Sequence, residues 1–338
     1  MANIRISIIT FAGIMSGTTA QKVAVLDLGT NTFNLLLVQI TAEAYYIFHN
    51  EKAPVMIGKS GISRGIIAEE AQARAMTALK HYKQIIDSEN IPIVHGFATS
   101  AFRDASNGRS FRDKIAECTG LHIEIIDGST EAQLIYQGVQ TAMDIGGDSS
   151  LIMDIGGGSV EFILANRKEV FWKRSFNIGA QRLLDRFHQV DPIPVAEIKK
   201  LEAFLASELS ELSFEVNTHR PKCMIGCSGT FDTLSEIFQY QINRFAASDA
   251  TELPLTIDGF SRIYHKMISL NRSERLKLPG MIEMRVDMIV VAACLVKFVL
   301  DRSAIEQMRV SRHALKEGLI TQIQHELKIK NEVSSFFS

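Results

Sequence analysis

Two α/β domains with mixed sheets flanked by helices, facing one another across a cleft, are the architecture this sequence predicts. Three observations carry that expectation. An apolar strand ending in Asp and running into a glycine-containing turn occurs twice, in VAVLDLGTNTFNLLLV at 23–38 and in MDIGGGSVEFIL at 153–164. Mixed helical and strand patterns follow each copy. The length, 338 residues, exceeds what one compact core usually supports.

The elements follow in order. VAVLDL is continuously apolar up to Asp27, GTNT supplies turn residues, and FNLLLVQI resumes the strand. Residues 67–90 put Ala, Met, Leu and Ile on one face at helical spacing, which predicts a surface helix. A buried strand, IPIVHGFATSA, precedes a short helix in FRDKIAECTG, an alternating strand in LHIEIID, and a helix in STEAQLIYQGVQTAM. Ser129, Thr130 and Glu131 open that helix with a hydroxyl cap and an early acid. The loop-like TAMDIGGDS at 141–149 marks the boundary, giving a first domain at 22–142 and a second at 143–330. No apolar strand precedes its Gly-Gly pair, so that pair is not a third copy of the motif. From Ser150 three strands are expected, with a turn at 165–167, then helices over 181–189 and 195–217. KCMIGCSGT reads as another apolar strand ending in small residues, and the remainder from Asp258 as mainly helical.

A net charge of −2 gives no bulk attraction to nucleic acid or membrane, so a polyanionic partner needs a local basic patch. Cys118, Cys223, Cys227 and Cys294 read as reduced core thiols, because Cys223 and Cys227 lack CxxC spacing and a nearby His. Residues 1–21 imitate a secretory signal, but their apolar run is short and interrupted by Thr10 and Gly13. A frayed extension on a cytoplasmic protein is the expectation. The apolar run at 288–296 is shorter than the ~20 residues a bilayer requires, and reads as a buried helix.

A tight turn between antiparallel strands aims several backbone N–H groups at one point, and glycine lets an anion approach without a Cβ in the way. Gly29, Thr30, Asn31 and Thr32 form the first such turn; Gly156, Gly157, Gly158 and Ser159 form the second. Facing each other, they would grip a phosphate chain from both sides. Asp27 and Asp154, just before the turns, repel phosphate and so imply a cation between them, Mg²⁺ with retained waters, with Glu161 also facing the cleft. Ser228, Gly229 and Thr230 are a weaker third phosphate contact. Attack by water needs a base, for which Glu131 is the candidate, and Arg103, at the end of a buried strand, supplies a phosphate-binding guanidinium. Each element has a plain structural alternative: a hairpin turn, a capping acid at Glu131, a surface Arg103 paired with Asp104. The duplication favours phosphate chemistry for the turns. A long inorganic chain would also want a basic track, for which Lys168, Lys173 and Arg174 are candidates.

VLDLGTNTFNLLLV and MDIGGGSVEFIL resemble the phosphate-binding motifs of the actin-like ATPase superfamily. With ATSAFRDASNG, IIDGSTEAQLIYQGV, IGCSGTFDTL and VSRHALKEGLI in the expected order, the chain resembles the exopolyphosphatase/guanosine pentaphosphate phosphatase family in its short two-domain form. The resemblance runs from about Lys22 to Leu319. It implies two ribonuclease-H-like domains around a cleft, a homodimer, and Mg²⁺-dependent release of a terminal phosphate from inorganic polyphosphate or guanosine pentaphosphate. It places the catalytic acid on Glu131, a metal-associated acid on Glu161 and the phosphate-contacting arginine on Arg103. Thr130 stands where the family often has a second acid, and GCSGT lacks the paired glycines of the kinase-type adenosine loop. That departure favours a hydrolase over an ATP-dependent kinase or chaperone-like ATPase, and the motif acids weigh against a non-catalytic sensor.

Overall fold

A computed structural model describes residues 20–336; the N-terminal extension lies, but for its last two residues, outside them. The first sheet contains β1 (Gln21–Leu28), β2 (Phe33–Ile40), β3 (Tyr45–Ala53), β4 (Ile93–Ala98) and β5 (Ile123–Ile125) in the order β3-β2-β1-β4-β5. The second contains β6 (Ser150–Ile155), β7 (Val160–Ala165), β8 (Val170–Phe176), β9 (Cys223–Cys227), β10 (Glu252–Leu253) and β11 (Gln307–Ser311) in the order β10-β11-β9-β6-β7-β8. In each, three antiparallel strands are extended by parallel ones: β4 pairs parallel with β1, and β9 with β6. The predicted pair of ribonuclease-H-like sheets is present, and β8-β7-β6-β9-β11 repeats β3-β2-β1-β4-β5.

The motif strands read as unbroken apolar runs because both their faces are covered. Every residue of β6 and β7 is buried. Val23, Val25 and Leu36 from the first sheet and Ile152, Ile163 and Ile225 from the second share one apolar cluster. Helices α4 (Gly128–Ala142) and α12 (Leu315–Phe336) complete it. They cross closely: a Cβ on Gly138 would lie 1.9 Å from the Ala314 carbonyl oxygen, and one on Gly318 would lie 1.9 Å from that of Leu134. Gly318→Ala should therefore force the helices apart and lower the unfolding free energy by about 1–3 kcal/mol, measured by denaturant titration.

Around the first sheet lie α1 (Glu69–Ser88), α2 (Ser100–Asp104) and α3 (Gly108–Thr119). Around the second lie α5 (Ala180–Phe187), α6 (Val195–Glu208), α7 (Ser210–His219), α8 (Ser228–Ile242), α9 (Ile257–Ser269), α10 (Arg272–Arg275) and α11 (Met288–Leu300). As expected, the apolar run of α11 is buried core; no helix among the described residues is long and apolar enough to cross a membrane.

Four local readings of the elements change, and Cys118, expected in the core, is exposed. Arg103 does not end a strand: β4 stops at Ala98, and amides of Phe102 and Arg103 bond back to the Thr99 carbonyl to start α2. The single helix expected over 195–217 breaks at the buried Leu209 into α6 and α7. Ser228, Gly229 and Thr230 open α8 rather than end a strand. β11 was not foreseen, since five residues between two helices carry little periodicity of their own.

Candidate active site

Asp27 and Asp154 hold matching positions near the ends of β1 and β6, each directly opposite a polar residue on the neighbouring strand: Asn34 in the first copy, Glu161 in the second. The turns close with the same bond. Gly29 N donates to Thr32 O at 3.1 Å, and Gly156 N to Ser159 O at 3.0 Å. Their carbonyls are tied back into the protein. Thr30 O and Asn31 O accept from the amides of Gly58 and Met56. Gly156, Gly157 and Gly158 carbonyls accept from the amides of Ala180, Gln181 and Gly179 at the start of α5. Among the described residues the amides of Thr30, Asn31, Thr32, Gly157, Gly158 and Ser159 bond to no backbone carbonyl, so they remain available as donors.

Both turns line one cavity of about 310 Å³ between the sheets. Of the residues predicted from sequence, Asp27, Gly29, Thr30, Asn31, Thr32, Glu131, Asp154, Gly156, Gly157, Ser159, Glu161, Ser228 and Gly229 line it. Thr230 is buried in α8 and does not. Gly158 does not either. A Cβ there would lie 2.4 Å from Ser100 Oγ and 2.9 Å from Thr30 Oγ1, and one on Gly157 would lie 2.6 Å from Asn31 Nδ2. These two glycines therefore let the turns meet across the cleft floor, and Gly157 also lines the cavity. Arg103 stands behind the cavity wall, where its Nη1 donates to Glu131 Oε2 at 2.9 Å and to Ile126 O at 3.2 Å. The candidate basic track is absent from the cavity wall. Lys173 donates to Gln133 Oε1 at 2.6 Å and Arg174 is paired with Glu211. Their neighbours occupy them.

The acids are short of water and close to one another. Burial, and then the Glu161 charge, push the Glu131 carboxyl well above its ordinary range, against the pull of Arg103. Burial and Asp154 raise Glu161 to about 7, while Ser175 Oγ donates to it at 2.6 Å. Burial raises Asp154, opposed by the 2.7 Å hydrogen bond from Ser228 Oγ. Burial raises Asp27 to about 6, opposed by Lys316 and by Asn34 Nδ2, which donates at 2.9 Å. Crowded carboxylates whose charge is this costly fit a divalent cation in hard-oxygen chemistry. Asp27, Asp154 and Glu161 do not close into an all-protein cage, however: among the described residues no three acidic, His or Cys side chains gather to hold an ion. Asp27 and Asp154 belong to different sheets, and Asn34 and Ser228 already engage them. Such a site suits Mg²⁺, which keeps waters and takes substrate phosphate oxygens as ligands.

Sequence reasoning missed Asn34, Asp232, Lys52, Arg285, Arg312 and Lys316, all of which line the cavity. Aligning DLGTNTFN with DIGGGSVE equates Asn34 with Glu161 and would have found the first. The four cations come from β3 and from segments late in the chain that carry no internal repeat.

The chain matches the family described as the Ppx/GppA phosphatase family over residues 36–327. It is 29% identical over 314 residues to exopolyphosphatase 2 of Mycobacterium tuberculosis, covering 88% of this chain and 97% of that protein. The crystal structure of an exopolyphosphatase from Cytophaga hutchinsonii is 42% identical, with a TM-score of 0.87, covering 91% of this chain and 99% of that one. A Ppx/GppA family member from Aquifex aeolicus, at 24% identity and a TM-score of 0.75, covers 91% of this chain and 99% of its own and shares the fold. With paired turns in one cavity and a family match spanning most of its length, this chain belongs to the Ppx/GppA phosphatase family.

Proposed function

We propose that the protein is a phosphoanhydride hydrolase that releases the terminal orthophosphate of inorganic polyphosphate, the 5′-phosphate of guanosine pentaphosphate, or both. The observation that carries this reading is the meeting of both turns with the buried carboxyl of Glu131 in one cavity. The amides and hydroxyls of the turns hold the phosphates at the reacting end. Glu131 orients the attacking water and takes its proton as the new P–O bond forms; the bridging P–O bond breaks and its electron pair leaves with the shortened chain. A raised carboxyl pKa suits a base working near neutral pH. Arg103, bonded to Glu131 from behind the cavity wall, fixes that carboxylate. Asp27, Asp154 and Glu161, with Asn34 and Ser228 behind them, would hold Mg²⁺. When bound, the ion offsets phosphate charge.

The relatives' names agree with this chemistry, polyphosphate above all. The test is phosphate release from long polyphosphate, tripolyphosphate and guanosine pentaphosphate, side by side. Mg²⁺-dependent release that a chelator abolishes and added Mg²⁺ restores is the expected result. No release from any of the three ends the proposal.

A further inference from the structure

Outside the lining of the cavity the two halves meet again, where the last two residues of α2, Arg103 and Asp104, face the second half. Arg182 of α5 donates through Nη2 to Asp104 Oδ2 at 2.7 Å, through Nη1 to Ile62 O at 3.1 Å and through Nε to Gly158 O at 2.9 Å. One guanidinium therefore joins an acid and a carbonyl of the first half to a carbonyl of the second turn. Asp104 Oδ1 lies 3.6 Å from Arg103 Nε, and Arg103 Nη1 donates to Glu131 Oε2 at 2.9 Å. Arg103 Nη2 also reaches Ser175 Oγ on β8 at 3.5 Å. A continuous run of groups thus leads from the base to the opposite turn: Glu131, Arg103, Asp104, Arg182 and Gly158.

The first-half side of this contact is stiff. Ser106 N donates to Gly65 O at 2.8 Å. Asn107 bonds both ways to Ile67, its Oδ1 accepting from the amide at 2.8 Å and its Nδ2 donating to the carbonyl at 2.9 Å. The segment that carries Ile62 is thereby tied to the end of α2. Between the halves the contact is polar. Ser63 Oγ donates to Asp185 Oδ2 at 2.8 Å, and a cavity of about 350 Å³ remains between residues 59–64 and α5. Neither Asp104 nor Arg182, Ser63 nor Asp185 belongs to the apolar cluster that spans both sheets. The Asp104 and Arg182 side chains are 19% and 20% exposed, and an ion pair open to water adds little to folding. What such a pair does supply is direction, because a charge-assisted bond to a planar guanidinium fixes orientation as well as distance.

We propose that Asp104 is a positioning residue for hydrolysis: held between Arg103 and Arg182, it sets the second turn of one half against the carboxyl of Glu131 in the other. It touches neither the cavity nor the reacting atoms and acts through its two arginines. The inference rests on the phosphoanhydride hydrolase reading of the same site.

The test measures kcat and KM for tripolyphosphate in Asp104→Ala, Asp104→Asn, Arg182→Ala and the double alanine variant. Each single alanine variant should lower kcat by about ten- to a hundredfold and leave KM within about threefold, as misalignment of bound reactants predicts. Asp104→Asn keeps an oxygen for Arg182 Nη2 and should recover most of the lost rate. Because both residues serve one link, the double variant should be no slower than the slower single one. Losses that multiply in the double variant overturn the proposal, and so does an unchanged kcat in Asp104→Ala. Hydrogen exchange reads the same link without turnover. Asp104→Ala, a change in the first half, should speed exchange of the Ala180 and Gln181 amides that hold the second turn. Equal exchange at those amides overturns the link. If the unmodified protein releases phosphate from no substrate, the hydrolase reading fails separately, and exchange alone decides whether Asp104 places the turn.

Discussion

Glu131→Gln abolishes measurable turnover, lowering kcat by about 10²- to 10⁴-fold, while the protein unfolds at a temperature close to that of the unmodified chain. The position of Glu131 is fixed before any substrate arrives. Asp127 caps α4, accepting from Thr130 N at 2.8 Å, so the first helical turn is held and the Glu131 side chain enters the cavity with it. Only 6% of Glu131 is exposed, which is rare for an acid and costly unless the charge is paired. Gln keeps the shape and still offers Arg103 an oxygen, but it takes no proton from water. Its neutral amide also removes the repulsion between Glu131 and Glu161, so little stability is lost. Phosphate release and thermal unfolding measured on the same preparation separate the roles. Turnover like that of the unmodified protein would show Glu131 to be only the structural partner of Arg103, and the proton would need another acceptor.

Much of this site was legible because it is built from a repeat. The same eight-residue frame occurs as DLGTNTFN and DIGGGSVE, and equal frames on equal strands place Asp27 and Asp154, and Asn34 and Glu161, alike. The fold class followed from the same duplication, since both motif strands are unbroken apolar runs. What remained hidden depends on contacts between distant segments. Gly157 is spent against Asn31 and Gly158 against Ser100, which no local pattern announces. Arg103 was recognised as important, but the strand expected to carry it stops short and α2 turns it toward Glu131. The basic track was sought among Lys168, Lys173 and Arg174, where charges cluster in sequence; the free cations instead converge from β3 and the last third of the chain. Clustering along the chain is a poor guide to clustering in space when each half is assembled from separated segments.

The second large effect is expected at Gly179, which the sequence offered only as one glycine after a strand. Gly179→Ala should reduce kcat/KM by about 10²-fold, with far less effect on unfolding. Its backbone, at φ −59° and ψ 159°, suits alanine, so the cause is contact rather than strain. The added Cβ would lie 2.4 Å from the carbonyl carbons of Gly157 and Gly158 and 2.5 Å from the Gly157 oxygen. Those atoms are backbone and cannot rotate away, so either α5 or the second turn must move. The turn is held from behind by the same segment: Gly179, Ala180 and Gln181 amides bond to its three carbonyls at 2.9 to 3.2 Å. Arg182 extends the hold to the other half, donating through Nε to Gly158 O at 2.9 Å, through Nη1 to Ile62 O and through Nη2 to Asp104 Oδ2 at 2.7 Å. A displacement of about 1 Å at a positioning group costs roughly a hundredfold in rate, because reacting atoms must stay in line. Gly147→Ala is the control, since a Cβ there meets nothing within 4 Å and the residue lies outside the cavity. Equal activity in the two variants would mean that the second turn adjusts freely, and that its placement by α5 does not set the rate.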